Sequence, residues 1–256
     1  MADWTLRFSL EGRKALITGA SKGIGAEIAA VFADAGADIV AVGRDEADLA
    51  ATAAAVRGHG RECLTLIGDL ADAETPGRIA AEAQAAWGTI DILVNNAGVA
   101  RIAPALELTA EDWDLSMAVN VRAPFLLSRA LAPAMIAQRS GKIVNISSQT
   151  GVIALDDHAA YASSKGALNA LTKSLMAEWA RHNIQVNAIC PTVVLTPMGK
   201  EVWGEEDKSR PMIEATPLRR FGEPVEIADC ALYLASPASD LVNGALIMIE
   251  GGYSSL

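Results

Sequence analysis

Tyr161 and Lys165 stand four residues apart in a stretch patterned as helix, so their side chains share one face. A free tyrosine titrates near pH ~10 and is a poor acid or base at neutrality. An ammonium beside it would favour the phenolate, lower that pKa and make proton transfer practical. Such pairs also occur on ordinary solvated helices, so the neighbours decide the reading. Ser148 ends a strand-like run 13 residues earlier. Its hydroxyl could hold a substrate oxygen whose charge changes during reaction. Asn120 lies mid-helix among Ala118, Val119 and Val121. An amide there must bond something, such as a water relaying protons to Lys165.

A second cluster suits a dinucleotide. Thr18-Gly19-Ala20-Ser21-Lys22-Gly23-Ile24-Gly25 follows the first strand-like run. Glycines at such a strand-to-helix turn let a diphosphate approach main-chain N–H groups at a helix N-terminus. The spacing is GxxxGxG rather than GxGxxG, and glycine turns also serve packing. Asp69, followed by Leu70, comes after the third strand, where a carboxylate could meet the adenine amino group. Asn95-Asn96-Ala97-Gly98 closes the fourth, where amides and small residues can line a cleft. Arg44 ends the second strand, the place where an arginine would meet the 2′-phosphate of NADP and an acid the ribose of NAD. Lys22 could add a second positive charge, while Asp45 pulls the other way. NADP(H) is favoured, with NAD(H) as the alternative.

These residues need a frame that places them together. Strand-like runs at 14–18, 39–42, 63–67, 91–94, 142–146, 184–189 and 245–249 alternate with helical stretches, including 24–35, 45–57, 110–137 and 159–182. Seven strands apolar on both faces and separated by helices predict a parallel sheet covered on both sides. That is an α/β, Rossmann-type doubly wound fold, with ligands outside the C-terminal strand ends. No Pro/Gly/Ser linker divides the chain, so residues 1–256 read as one domain. The least regular stretch, 191–217, contains Pro197 and Pro211. An excursion at about 192–216 could be a lid over the site or a plain surface loop.

The totals narrow the partners. Formal charge is −10, from 21 Lys plus Arg against 31 Asp plus Glu. That argues against a nucleic-acid partner, which wants a basic face, and mildly against an acidic carrier protein. Cys63, Cys190 and Cys230 form no CxxC pair, and His59, His158 and His182 show no metal-ligand spacing with them. Buried thiols and no metal site are expected. No low-charge run reaches the ~20 apolar residues of a membrane span. Residues 1–10 contain Asp3 and Arg7 and lack the apolar core of a signal peptide. A soluble cytoplasmic protein is the expectation.

Taken in order, the glycine-rich turn, Asp69, Asn95-Asn96-Ala97-Gly98, Asn120, Ser148, Tyr161-Ala162-Ser163-Ser164-Lys165 and the closing Glu250-Gly251-Gly252 resemble the short-chain dehydrogenase/reductase family, from about residue 10 to the C-terminus. The resemblance implies hydride exchange between a nicotinamide cofactor and a carbonyl/alcohol pair. It implies Asn120, Ser148, Tyr161 and Lys165 as a proton-relay tetrad, with Lys165 also holding the nicotinamide ribose. Pro191, Val194 and Thr196 would lie near the nicotinamide, and two long helices, 110–137 and 159–182, would join a homotetramer. One departure is Thr192, where the family usually has glycine after Pro191.

Within the family, residues 187–199 with Trp203, Lys22, Arg44, Ser148-Gln149 and His158 resemble the L-xylulose reductase (dicarbonyl reductase) branch. There, the residues matching Gln149, His158 and Trp203 face the sugar. Asp45 stands where that branch usually has a hydroxyl residue. A ketose is chemically reasonable, because its hydroxyls would meet donors and acceptors on Gln149 and His158, with Trp203 covering a sugar face. His158 could instead only cap its helix, and Trp203 only pack. A 3-oxoacyl-thioester reductase is the alternative, disfavoured by Thr192, Trp203 and the acidic charge. A dinucleotide-sensing regulator without catalysis is more remote, since Ser148, Tyr161 and Lys165 are all present.

Overall fold

The computed structural model describes residues 4–255; the ends of the expected domain, Asp3 included, lie outside the described residues. In chain order the strands are β1 (Lys14–Thr18), β2 (Asp38–Gly43), β3 (Cys63–Ile67), β4 (Ile92–Asn95), β5 (Gly141–Ile146), β6 (Ile184–Pro191) and β7 (Leu246–Ile249). Each lies within two residues of its expected place. The helices are α1 (Gly23–Asp34), α2 (Glu46–Gly58), α3 (Thr75–Trp87), α4 (Ala110–Met117), α5 (Ala123–Gln138), α6 (Ala159–Trp179), α7 (Pro197–Trp203), α8 (Glu206–Ala215) and α9 (Pro224–Ala235).

The strands form one parallel sheet in the order β3-β2-β1-β4-β5-β6-β7. Alternation along each strand divides the apolar residues between two faces. Ala15, Ile17, Ile39 and Ala41 pack under α1, α2 and α9, with Ile28, Phe32, Leu49 and Ile227. Leu16, Val40, Val42 and Leu93 pack under α3, α5 and α6, with Ile79, Leu127, Leu131 and Leu175. The sheet is therefore the middle layer of three, and its strand ends are held rigidly between helices.

Three expectations are corrected. Apolar cover on both faces does not extend to the sheet's edges: Thr65 and Ile67 of β3 are exposed and β7 is only half-buried. An edge strand has one neighbour instead of two, and fewer helices reach over it. The continuous helix over 110–137 is broken, because Ala118–Arg122 forms a π-helical turn between α4 and α5. The stretch 192–216 is not irregular, since it folds into α7 and α8. Thr196 caps α7 by accepting from Gly199 N–H at 3.0 Å, and Pro197 occupies the first turn, where its missing N–H costs nothing. Among the described residues, no helix is long and apolar enough to cross a membrane.

Candidate active site

β1 and β4 are sheet neighbours although not consecutive, so the chains leaving them diverge and open a crevice at their C-terminal ends. The cleft there has a volume of about 760 Å³. Each expected site residue lines it except Gly25 and Asn120. Those two stand immediately behind the wall.

On one side runs the glycine loop. Gly19 and Gly23 have φ of +64° and +62°, left-handed angles that suit glycine. A Cβ on Gly25 would lie 2.3 Å from the Gly19 carbonyl oxygen and 2.4 Å from Asn96 Nδ2. Gly25 is thus a packing residue under the loop rather than a cleft residue. Lys22 begins α1 without a side-chain cap, so the first-turn N–H groups of that helix are left for an anion. Arg44 and Lys22 add positive charge at the same end of the cleft. Uncapped N–H donors, a backbone without Cβ atoms and two cations are a donor set that fits a dinucleotide phosphate.

The residues closing β4 hold the loop instead of facing a ligand with every group. Asn96 Nδ2 donates to the carbonyls of Thr18 and Gly19, at 2.9 and 3.1 Å. Asp69 lines the cleft, and its Oδ1 accepts from Ala71 N–H at 3.0 Å. Asp45 caps α2 by accepting from Asp48 N–H at 2.8 Å. Thr196 lies over the loop, with its Cγ2 3.1 Å from where a Gly23 Cβ would stand.

On the other side α6 presents Tyr161 and Lys165 on one face, with Ser148 at the end of β5. Lys165 is 3% exposed. Its Nζ donates to the Ile146 carbonyl at 2.8 Å and lies 5.6 Å from the centre of the Tyr161 ring. Burial lowers the Lys165 pKa to about 8, against a weaker opposing pull from Cys190. Burial also pushes the Tyr161 pKa above its ordinary value, and the hydrogen bond with Ser148 works the other way. The expected lowering of the Tyr161 pKa by Lys165 is therefore absent here. The ammonium lies within cation–π range of the ring.

Asn120 stands behind the cleft wall in a hydrogen-bonded setting. It belongs to the π-helical turn and is fully buried. Its Oδ1 accepts from Val99 N–H, and its Nδ2 donates to the Val99 carbonyl and to Ser164 Oγ, each at 2.9 Å. A side chain so engaged braces the cleft wall. The Asn120 Oδ1 and Lys165 Nζ lie 3.3 and 3.5 Å from where a Gly98 Cβ would stand, so the missing side chain admits both.

The residues expected to face substrate are brought to the same end. Gln149 is 2% exposed. His158 packs edge-on against Tyr161, with ring centres 6.3 Å apart, and bonds the Asp156 carbonyl through Nδ1. It precedes α6 but makes no side-chain cap there, so capping does not explain it. Trp203 packs on Phe221 at 6.2 Å and carries Lys208 5.5 Å over its ring, so it serves packing as well as lining the cleft.

Sequence reasoning passed over two threonines. Thr18 Oγ1 accepts from both Asn96 and Ala97 N–H at 3.0 Å, fastening the end of β4 to the glycine loop. Thr150 bonds Ser148 through both its backbone and its hydroxyl. A lone polar residue ending an apolar strand could have flagged Thr18; nothing in the spacing marks Thr150. Asn95 and Asn145, joined at 2.8 Å and continued by Asn145 to Thr172 at 2.9 Å, form a buried chain tying β4 and β5 to α6.

Residues 19–254 match the family model described as enoyl-(acyl carrier protein) reductase. D-threitol dehydrogenase of Mycolicibacterium smegmatis is 42% identical over 247 residues, covering 96% of this chain and 95% of that protein. L-xylulose reductase of Bos taurus is 42% identical over 245 residues, covering 95% and 97%. Among solved structures, a gluconate 5-dehydrogenase from Burkholderia cenocepacia, in complex with NADP and tartrate, superposes with a TM-score of 0.94 at 38% identity, over 99% of this chain and all of that one. The chain belongs to the short-chain dehydrogenase/reductase family and is an NAD(P)-dependent oxidoreductase with a Rossmann-type fold.

Proposed function

We propose that the chain interconverts a ketose and the corresponding polyol with NADP(H), in the manner of an L-xylulose reductase. The observation that carries the substrate class is a pair of orphaned polar atoms. Gln149 Oε1 and Thr192 Oγ1 are buried in residues that line the cleft and have no hydrogen-bond partner among the described residues. Leaving such groups unpaired is costly, and hydroxyls of a small polyhydroxylated ligand would satisfy both. The acyl part of a thioester substrate offers no such donors. The names of the relatives at 42% identity, a tetritol dehydrogenase and a ketose reductase, agree with this reading.

The bound nicotinamide would supply the hydride to the carbonyl carbon, or take it from the alcohol carbon in the reverse direction. In reduction Tyr161 gives its hydroxyl proton to the substrate oxygen; in oxidation it removes that proton. Ser148 donates to the same oxygen and stabilises the charge that develops there. Lys165 holds positive charge beside Tyr161, and Asn120 fixes the wall behind it. Gln149 and His158 orient the sugar hydroxyls, with Trp203 across one face. The first-turn N–H groups of α1 would hold the diphosphate, with Asp69, Leu70 and Gly98 along the adenosine side. NADP(H) is preferred over NAD(H) because Arg44 and Lys22 flank the expected 2′-phosphate, while the opposing Asp45 is occupied with capping α2.

α7, which lines the cleft through Pro197, Gly199 and Trp203, would serve as a substrate cover with α8 behind it, and the chain would work as a cytoplasmic homotetramer. Tyr161→Phe tests the chemistry. Ketose turnover is expected to fall by about 10²–10⁴-fold while NADPH binding, read by fluorescence titration, is kept. Retained turnover would remove Tyr161 from its acid/base role.

A further inference from the structure

We propose that Thr150 is a positioning residue that makes Ser148 an obligatory hydrogen-bond donor toward the reacting oxygen, an inference that rests on the reading of Ser148 and Tyr161 given above. Ser148 and Thr150 are both more than nine-tenths buried. Ser148 precedes the single 3₁₀ turn Gln149–Gly151 in extended backbone. Its Oγ accepts from Thr150 N–H at 3.2 Å and from the Thr150 hydroxyl at 2.9 Å.

A hydroxyl has two acceptor lone pairs and one proton. Thr150 fills both acceptor positions, so the Ser148 proton is left to be donated elsewhere. The direction of the side-chain bond follows from the surroundings. The Thr150 hydroxyl makes no other hydrogen bond among the described residues, and a Ser148 proton spent on it would leave unmade the Ser148 bond that favours the Tyr161 phenolate, so Thr150 is the donor of the pair. A Ser148 with a free lone pair could instead accept from the Tyr161 hydroxyl, drawing that proton away from the substrate oxygen. The Ser148 bond already works against the burial that raises the Tyr161 pKa.

The turn cannot easily swing away. The Gly151 carbonyl accepts from Asn169 Nδ2 at 3.2 Å. A Cβ on Gly151 would lie 2.8 Å from that nitrogen and 2.9 Å from the Lys165 backbone carbon. Thr150 is thus fixed to the helix that carries Tyr161 and Lys165. The donor in Ser148 and the acid/base in Tyr161 are held by one rigid unit.

Two readouts test this in Thr150→Val and Thr150→Ser. The first is steady-state kinetics: Val should lower kcat about tenfold with KM within about twofold, the loss of one hydrogen bond in the transition state, and Ser should restore kcat. The second is the alkaline absorbance titration of Tyr161, taken as the difference from Tyr161→Phe in a chain of only three tyrosines. Val should move that titration to higher pH, and Ser should return it. Wild-type kcat and titration in the Val variant would overturn the proposal, as would failure of Ser to restore either. Should the Val variant not fold, Thr150→Ala carries the same expectations. The titration needs no substrate. A shifted titration without ketose turnover would remove the substrate reading and keep Thr150; normal turnover with unshifted titration would do the reverse.

Discussion

Lys165 combines the most buried charge in the cleft with a place beside the proposed acid/base. Its pKa of about 8, below the ordinary 10.5, means that the folded protein binds this proton less tightly than the unfolded chain does. Below pH ~8 both states are charged, and the full cost of burying the ammonium is present. Between about 8 and 10.5 the unfolded chain holds more protons, so this group's contribution to stability rises with pH. The thiols of Cys63, Cys190 and Cys230 and the Tyr161 hydroxyl, all raised by burial, act oppositely at the alkaline end. Comparing wild type with Lys165→Met in a Cys190→Ser background removes the coupled thiol and cancels the rest. Urea unfolding should show wild type gaining on the Met variant between about pH 8 and 10. A pH-independent difference would mean that the lysine is not desolvated as described.

The glycine loop and the strand ends around it depend on atoms approaching where side chains would collide. Gly25→Ala would place a methyl against the Gly19 carbonyl and the Asn96 amide, two groups hydrogen-bonded to each other. The expected outcome is overpacking worth about 1–3 kcal/mol, seen as a lower Tm, together with weaker NADPH binding. A variant with unchanged Tm and affinity would refute the tight packing. The alternation of apolar runs with helical stretches was enough to read β1 to β7 from the sequence, because period-2 burial and parallel pairing leave a strong hydrophobic pattern. The edges were less legible, since the exposure of Thr65 and Ile67 is set by the number of sheet neighbours and not by residue type. The break at Ala118–Arg122 was hidden because Ala, Val and Asn suit an α-helix and a π-turn alike. α7 and α8 were obscured by Pro197 and Pro211, which discourage a helical reading although Pro197 sits in the first turn of α7, where proline is welcome, and Pro211 is carried inside α8. In the site, motifs spaced along the chain led to the cleft residues, whereas Thr18 and Thr150 act through bonds that only the assembled strand ends create.

The whole molecule places two proposed half-sites on opposite walls of one crevice: N–H donors for a phosphate from the β1–α1 turn, and the proposed proton-transfer cluster from β5 and α6. The order of strands brings them together, which is why residues more than a hundred positions apart can act on one ligand pair. A shallow depression of about 580 Å³ lies on the α4–α6 side, lined by Met117, Val121, Phe125 and Leu171 among others. It belongs to the helices expected to join subunits. Sedimentation equilibrium should give a tetramer for wild type and a smaller species for Phe125→Glu; a monomeric wild type would refute the proposed assembly.

The cleft is proposed to pass hydride between NADP(H) and a ketose/polyol pair. The most direct measurement is the initial rate with L-xylulose against an acetoacetyl thioester, each with NADPH and with NADH. NADPH-linked turnover of the ketose, faster than with NADH and without comparable thioester reduction, is the predicted result. Turnover of the thioester alone would contradict the assignment of Gln149, Thr192, His158 and Trp203 to a sugar, and NADH preference would contradict the role given to Arg44.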